Sequence, residues 1–260
     1  MDTFAQDPTA IATRAELRER LAQLERGGGS GAGGGGGHLG HRGNAGTDGG
    51  AYALPSGYAA LDDSLAGGGW PLGALIELLC DTSGIGELQL LRPALVRLAR
   101  AGRCIVWVAA PYLPYAPALA RQGLPLERLL MIRCTRPQES LWATEQALRC
   151  PAVGAVLGWS THIVDRSLRR LQLAAEAGGS LGILHRPAVA ADEPSPAALR
   201  LRLHAAPDGL MLEIRKARGG RAGARLHLTS AHLGAHPGGR TTPAADPDAV
   251  VVHPSAGAAA

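Results

Sequence analysis

Leu78–Leu91 reads LLCDTSGIGELQLL. An apolar strand run enters a turn of small residues, and a run with helical spacing follows. That is the outline of a phosphate-binding loop, which sits where a parallel strand gives way to a helix in an α/β fold. Such a loop ends in Gly-Lys-Ser/Thr, but here Gly86 is followed by Glu87 and Leu88. The amides of Ser83, Gly84 and Gly86 can still form an anion nest at the helix N-terminus. A carboxylate nevertheless stands where a cation should meet a triphosphate, a reversal of roughly several kcal/mol even at an effective dielectric near 20.

Working outward, apolar runs of strand length occupy Leu75–Leu79, Cys104–Ala109, Leu129–Ile132, Ala152–Leu157 and Leu181–Leu184. Between them, Glu87–Arg100, Tyr115–Gln122, Pro137–Arg149 and Asp165–Ala177 have helical length and pattern. Regular alternation of strand and helix predicts a mainly parallel central sheet covered by helices on both faces. Pro137 suits a first-turn position, and Asp165 is a candidate cap for a helix from Arg166 to Ala177 that Gly178 ends. After Pro187 the pattern changes. LRLRLHAA, GLMLEIRKA and ARLHL alternate apolar and polar residues, which predicts an antiparallel extension with one wet face.

The domain reading follows from composition. Residues 1–26 carry an amphipathic helix, with Ile11, Leu17, Leu21 and Leu24 on one face. Residues 27–53 form a glycine-rich flexible linker, 54–235 the core domain, and 236–260 a disordered tail. The pair His38 and His41 in the linker has metal-like spacing, but two histidines in a glycine loop make a poor site. Cys80, Cys104, Cys134 and Cys150 lie far apart, which favours buried thiols over zinc or disulfides. The opening MDTFAQDPTA lacks the basic-then-apolar pattern of an export signal, and no apolar run approaches the roughly 20 residues of a spanning helix. A cytoplasmic protein is expected, without a membrane partner.

The 260-residue chain has a formal net charge of +4. Its excess positive charge gathers from Leu199 to Arg240, a bias that suits a polyanion or an acidic partner. Lys216 is the only lysine. Trp70, between glycines and Pro71, falls in an expected turn and is the aromatic best placed for a partner contact. Arg166, Arg169 and Arg170 offer contacts to phosphate, with a solvated helix face as the simpler reading.

Leu54–Leu91 resembles the opening of the RecA ATPase core, in which a Gly-x-x-x-Leu-Asp motif and a Gly-Gly-x-Pro-x-Gly turn precede the first strand. The matching residues are Gly57, Leu61, Asp62, Gly68, Gly69, Pro71, Gly73, Glu77 and Gly86. Within that superfamily the chain is similar to the ImuA family, through PLGALIELL, GIGELQLL, VWVAAPYLPYAPAL and LRRLQLAAEAGGSLGILHRPA. The resemblance implies a RecA-like core and shows which catalytic positions are changed. The lysine and hydroxyl positions hold Glu87 and Leu88, the water-activating glutamate position falls at Ala110, and the magnesium-associated aspartate position at Trp159. It therefore implies a non-catalytic protein that needs no nucleotide cofactor. Lys216 and Arg218 match the basic pair that RecA filaments extend toward a neighbour's nucleotide, and are candidates for contact with a partner's phosphate or an acidic surface.

By the same resemblance the expected function is that of an adaptor in translesion DNA synthesis during the SOS response. The implied partners are an ImuB-type polymerase homologue, RecA and an error-prone replicative-type polymerase. DNA contact would be indirect or weak, with association to the nucleoid when active. The alternatives are a DNA-stimulated ATPase or recombinase and a SulA-like inhibitor of cell division. The N-terminal helix and the region near Lys216 are the expected docking elements.

Overall fold

The computed structural model describes residues 10–11, 14–27 and 53–234. His38 and His41, nearly all of the expected linker, and the whole expected tail lie outside them. The first described elements are strand β1 (Ala10–Ile11), helix α1 (Arg14–Gly27), strand β2 (Ala53–Leu54), helix α2 (Ala59–Asp62) and strand β3 (Trp70–Pro71). The alternating core follows as β4 (Ala74–Leu79), α3 (Glu87–Arg100), β5 (Cys104–Val108), α4 (Ala116–Arg121), β6 (Leu129–Ile132), α5 (Pro137–Arg149), β7 (Val153–Trp159), α6 (Asp165–Gly178) and β8 (Leu181–Arg186). Strands β9 (Leu199–Ala206), β10 (Gly209–Ala217) and β11 (Arg225–Thr229) and helix α7 (Ser230–Gly234) complete it.

One sheet of nine strands runs in the order β1-β6-β5-β7-β8-β4-β9-β10-β11, and β2 pairs with β3 separately. Pairing is parallel from β1 to β9, and antiparallel between β9, β10 and β11. The expected α/β class, with a mainly parallel sheet and an antiparallel extension, is what the chain forms. Every residue of β4, β5, β6 and β8 is buried, as helices on both faces require. By contrast β11 alternates between buried and accessible positions.

Two apolar layers sandwich the sheet. Leu90, Leu91 and Leu95 of α3 pack on one face with Trp107 and Leu157. On the other, Ala147 and Leu148 of α5 and Leu168 and Leu171 of α6 meet Val106 and Val156. Leu17 and Leu21 of α1 are buried in this second layer. A helix is present from Arg14, with Ile11 in strand β1 rather than on the helix, and its buried leucines cover the chain's own core.

Helix α3 contains Pro93, which has no N–H to donate to the Gln89 carbonyl one turn back. The Tyr58 hydroxyl donates to that carbonyl instead, at 2.8 Å. Gly57 allows the approach, because a Cβ there would lie 2.6 Å from the Pro93 ring. Helix α6 also differs in detail from the sequence reading. Asp165 is its first helical residue and pairs with Arg169 at 2.8 Å, with no side-chain cap at Val164. Its terminal left-handed residue is Gly179 rather than Gly178.

Candidate functional site

The carboxyl ends of β4, β5, β6, β7 and β8 converge on a cavity of about 510 Å³. This is the edge at which open α/β sheets hold their ligands, because the strand-to-helix turns and helix N-termini meet there. Cys80–Ser83 form one wall, Ala109 and Pro111 another, and Arg136, Ser140, Trp159 and His185 much of the rest. Asp81 is the sole carboxylate among the described residues that line it.

The loop before α3 retains the shape of an anion nest. Gly84 and Gly86 adopt left-handed conformations, with φ of 87° and 119°. The nest is occupied by the chain itself. Glu87 turns its carboxylate back so that Oε1 accepts from the Gly84 amide at 2.6 Å and Oε2 from the Gly86 amide at 3.1 Å. Its side chain is buried at the first turn of α3, where a negative charge suits the helix dipole. Glu87 thus does more than oppose a phosphate electrostatically, for it takes the hydrogen bonds a phosphate would use. Ser83 is exposed, and Leu88 packs partly against the core without a hydroxyl to offer.

Opposite the loop, Ala109 holds a left-handed φ of 54° at the end of β5, and Ala110 follows it without a functional group. Trp159 lies against His185 with parallel rings 4.4 Å apart and meets Trp107 edge-on at 6.0 Å. Neither ring nitrogen of His185 has a hydrogen bond of good geometry among the described residues. Burial pushes the His185 pKa down to about 4, against smaller opposing pulls from Glu87 and the Gly158 backbone. The imidazole is therefore neutral at pH 7. Burial likewise raises the thiols of Cys80 and Cys134 to about 11, with Glu87 and Asp81 adding to the first and Glu139 to the second. Both thiols are protonated near neutrality and are poor nucleophiles. All four cysteines are free.

Beside this edge lies a buried ionic cluster. Glu77, fully enclosed in β4, accepts from Arg186 at 2.9 Å and from Arg200 at 2.6 Å, and Ser195 adds a hydrogen bond at 2.9 Å. Arg200 also donates to the carbonyls of Ala190, Ala191 and Glu193, while Arg186 reaches the Glu193 carboxylate at 2.6 Å. Both guanidinium groups meet carboxylate acceptors, the pairing that keeping charge in a core demands, although the Arg186 Nε has no partner among the described residues. The segment between β8 and β9 is tied down as a result. Arg200 stood in the sequence only as part of the basic excess from Leu199 to Arg240, and Arg186 fell outside it. The signal that could have found them was a glutamate inside the apolar run ALIELL, which demands a buried cation.

Several expected site residues are placed elsewhere. Trp70 is completely buried in the first apolar layer, paired through β3 with Leu54 of β2, so its assignment as a partner contact is corrected. The glycines around it let the chain fold over the ring rather than display it. Lys216 donates to the Ser195 carbonyl at 2.7 Å, within its own chain, and burial with the nearby Arg218 and Arg200 lowers its pKa. Arg218 remains exposed, its amide bonded to Ala198 at 2.8 Å. On α6, Arg169 pairs with Asp165 and Arg170 with Glu145, leaving Arg166 as the exposed arginine of the three without an ion pair among the described residues. The expected set is thus dispersed. Of that set, Ser83 and Trp159 line the cavity, and the basic residues do not.

No described helix is long and apolar enough to cross a membrane, and no described group of His, Cys, Asp or Glu is arranged to hold a metal ion.

Comparison with known proteins adds two kinds of likeness. The family model "Cell division inhibitor SulA" matches residues 74–182, from β4 into the start of β8. A protein named "Cell division inhibitor SulA" from Edwardsiella piscicida is 36% identical over 101 residues, covering 38% of this chain and 60% of that protein. One of the same name from Serratia marcescens is 28% identical over 115 residues, 44% of this chain and 68% of that protein. "Protein ImuA" of Caulobacter vibrioides NA1000 is 31% identical over 211 residues, covering 71% of this chain and 86% of its own length.

Proposed function

The chain belongs to the ImuA family, and from that premise we propose that it is a non-catalytic, RecA-like accessory protein of damage-induced mutagenesis. It serves translesion DNA synthesis as an adaptor, joining an ImuB-type polymerase homologue and RecA to an error-prone polymerase assembly. The observation that carries the non-catalytic part is the Glu87 carboxylate on the Gly84 and Gly86 amides. With the nest filled, no lysine near the loop, and Ala110 and Trp159 at the other catalytic positions, the site lacks the groups with which this scaffold holds phosphates and activates water.

Two measurements test the proposal. Co-expression with an ImuB-type homologue should yield a complex that survives purification, and its absence would remove the adaptor reading. Titration of the purified chain with labelled ATP and magnesium should give no tight binding and no turnover; hydrolysis would restore the ATPase alternative. A second reading, inhibition of cell division, draws support from the SulA family model over residues 74–182. Retention of FtsZ without retention of an ImuB-type homologue would favour it. DNA contact is indirect in the preferred reading, since two of the three α6 arginines are already paired within the chain.

A further inference from the structure

We propose that the carboxyl edge of the sheet docks an acidic peptide segment of a protein partner, with one apolar or aromatic side chain of that segment entering the cavity. The inference rests on the adaptor reading and names the surface through which it would act. Three large apolar side chains stand exposed within four consecutive positions, Tyr112 at 75%, Leu113 at 49% and Tyr115 at 68%. The other exposed large apolar side chains among the described residues, Val164, Leu173 and Val189, are scattered. The two tyrosines are of a type enriched in binding hot spots, and with Leu113 they form an exposed apolar patch. Pro111, Pro114 and Pro117 stiffen this segment, so little conformational freedom remains to be lost on binding.

The segment is continuous with the cavity, since Pro111 lines it and Trp159 forms part of its wall. Trp159 is half-buried and stacked on His185, a firm apolar surface for a side chain to rest against. Charge selects the rest of the occupant. No Asp or Glu occurs from Leu88 through Leu126. Arg136, which lines the cavity, is exposed and pairs with Glu139 at 4.0 Å, while Arg133, three positions before it, and Arg121, beyond the tyrosines, are also exposed. Asp81 on the opposite wall is the single opposing charge on the lining. An exposed arginine on the lining of an apolar cavity, beside a stretch of chain without carboxylates, suits a short acidic segment with an apolar anchor. A nucleic acid would call for a continuous basic groove, and Arg186, the other arginine on the lining, is already engaged by Glu77 and Glu193.

A random peptide library displayed on phage and selected on the full-length chain provides the test, with enriched peptides labelled by fluorescein and measured by anisotropy. Enriched sequences should be net acidic with an aromatic or apolar anchor. Their binding should weaken roughly tenfold or more, about 1.4 kcal/mol or above, in Tyr112→Ser/Tyr115→Ser and in Arg133→Glu/Arg136→Glu. All four side chains are exposed, so melting temperatures should stay at the parent value. Enrichment without acidic bias, binding unchanged in both variants, or displacement by a thymidine oligonucleotide would overturn the proposal. An ImuB-type homologue still retained by both variants would overturn this surface alone. Loss of that partner from the parent chain would remove the adaptor reading and leave the peptide result to be judged on its own.

Discussion

Replacing Glu87 with Ala tests the filled nest directly. The carboxylate accepts two backbone amides, from Gly84 and Gly86. In the variant the Gly84 amide, at an exposed position, can turn to water, whereas the Gly86 amide is left buried. Orphaning one buried amide and losing one partly hydrated charged bond should destabilise the chain by about 2–3 kcal/mol. For a protein of this size that corresponds to a melting temperature lower by roughly 4–12 °C. The decisive assay is thermal unfolding in phosphate or sulfate against chloride at matched ionic strength. A free anion can take the vacated amides in Glu87→Ala and recover part of the loss, rising with concentration as linkage requires. The parent chain should show no such recovery, because its own carboxylate competes at high effective concentration. An unchanged melting temperature in the variant, or equal stabilisation of the parent by phosphate, would refute the reasoning.

Glu87→Lys alone should not yield ATPase activity, because Leu88, Ala110 and Trp159 remain; turnover by the single variant in a phosphate-release assay would contradict the account. His185 makes stability depend on pH. Its native pKa of about 4 lies below the ordinary 6.5, so below pH 6.5 the unfolded chain binds the proton the native chain refuses. Its contribution is therefore full above pH 6.5 and is lost as pH falls toward 4, by about 2 kcal/mol at pH 5 relative to pH 7. His185→Phe, which preserves the stack on Trp159, should remove that slope from urea midpoints, and an unaltered slope would show another group responsible. Glu77→Ala strands Arg186 and Arg200 in the core and should cost about 3–5 kcal/mol in chemical denaturation; a loss under about 1 kcal/mol would mean the arginines escape to water.

The fold was largely legible because its signals are local. Glu87–Arg100 and Pro137–Arg149 show helical spacing bounded by recognisable starts, and both helices occupy those residues. The parallel strands read as apolar runs because helices cover both their faces. Leu54–Trp70 was harder. A tryptophan among glycines looks like an exposed turn, yet the glycines allow the turn to close over the ring and bury it. The amphipathic N-terminal helix was equally ambiguous, since an apolar stripe reveals that something covers it and not what does.

At the candidate site, the residue types at the loop could be read from spacing alone, and the expectation that they do not hold a triphosphate followed from charge. Sequence order also determined the sheet class and the alternation that brings the strand ends together. What tertiary structure decided is where each charged group found its partner. Glu87 needed the left-handed turns at Gly84 and Gly86 to aim two amides at its carboxylate. Glu77 found Arg186 and Arg200 more than 100 positions away, and Lys216 met Ser195 across the same cluster. A charge declares its sign in the sequence, but whether it faces water, a ligand or its own backbone is set by desolvation, which exists only once the chain is packed.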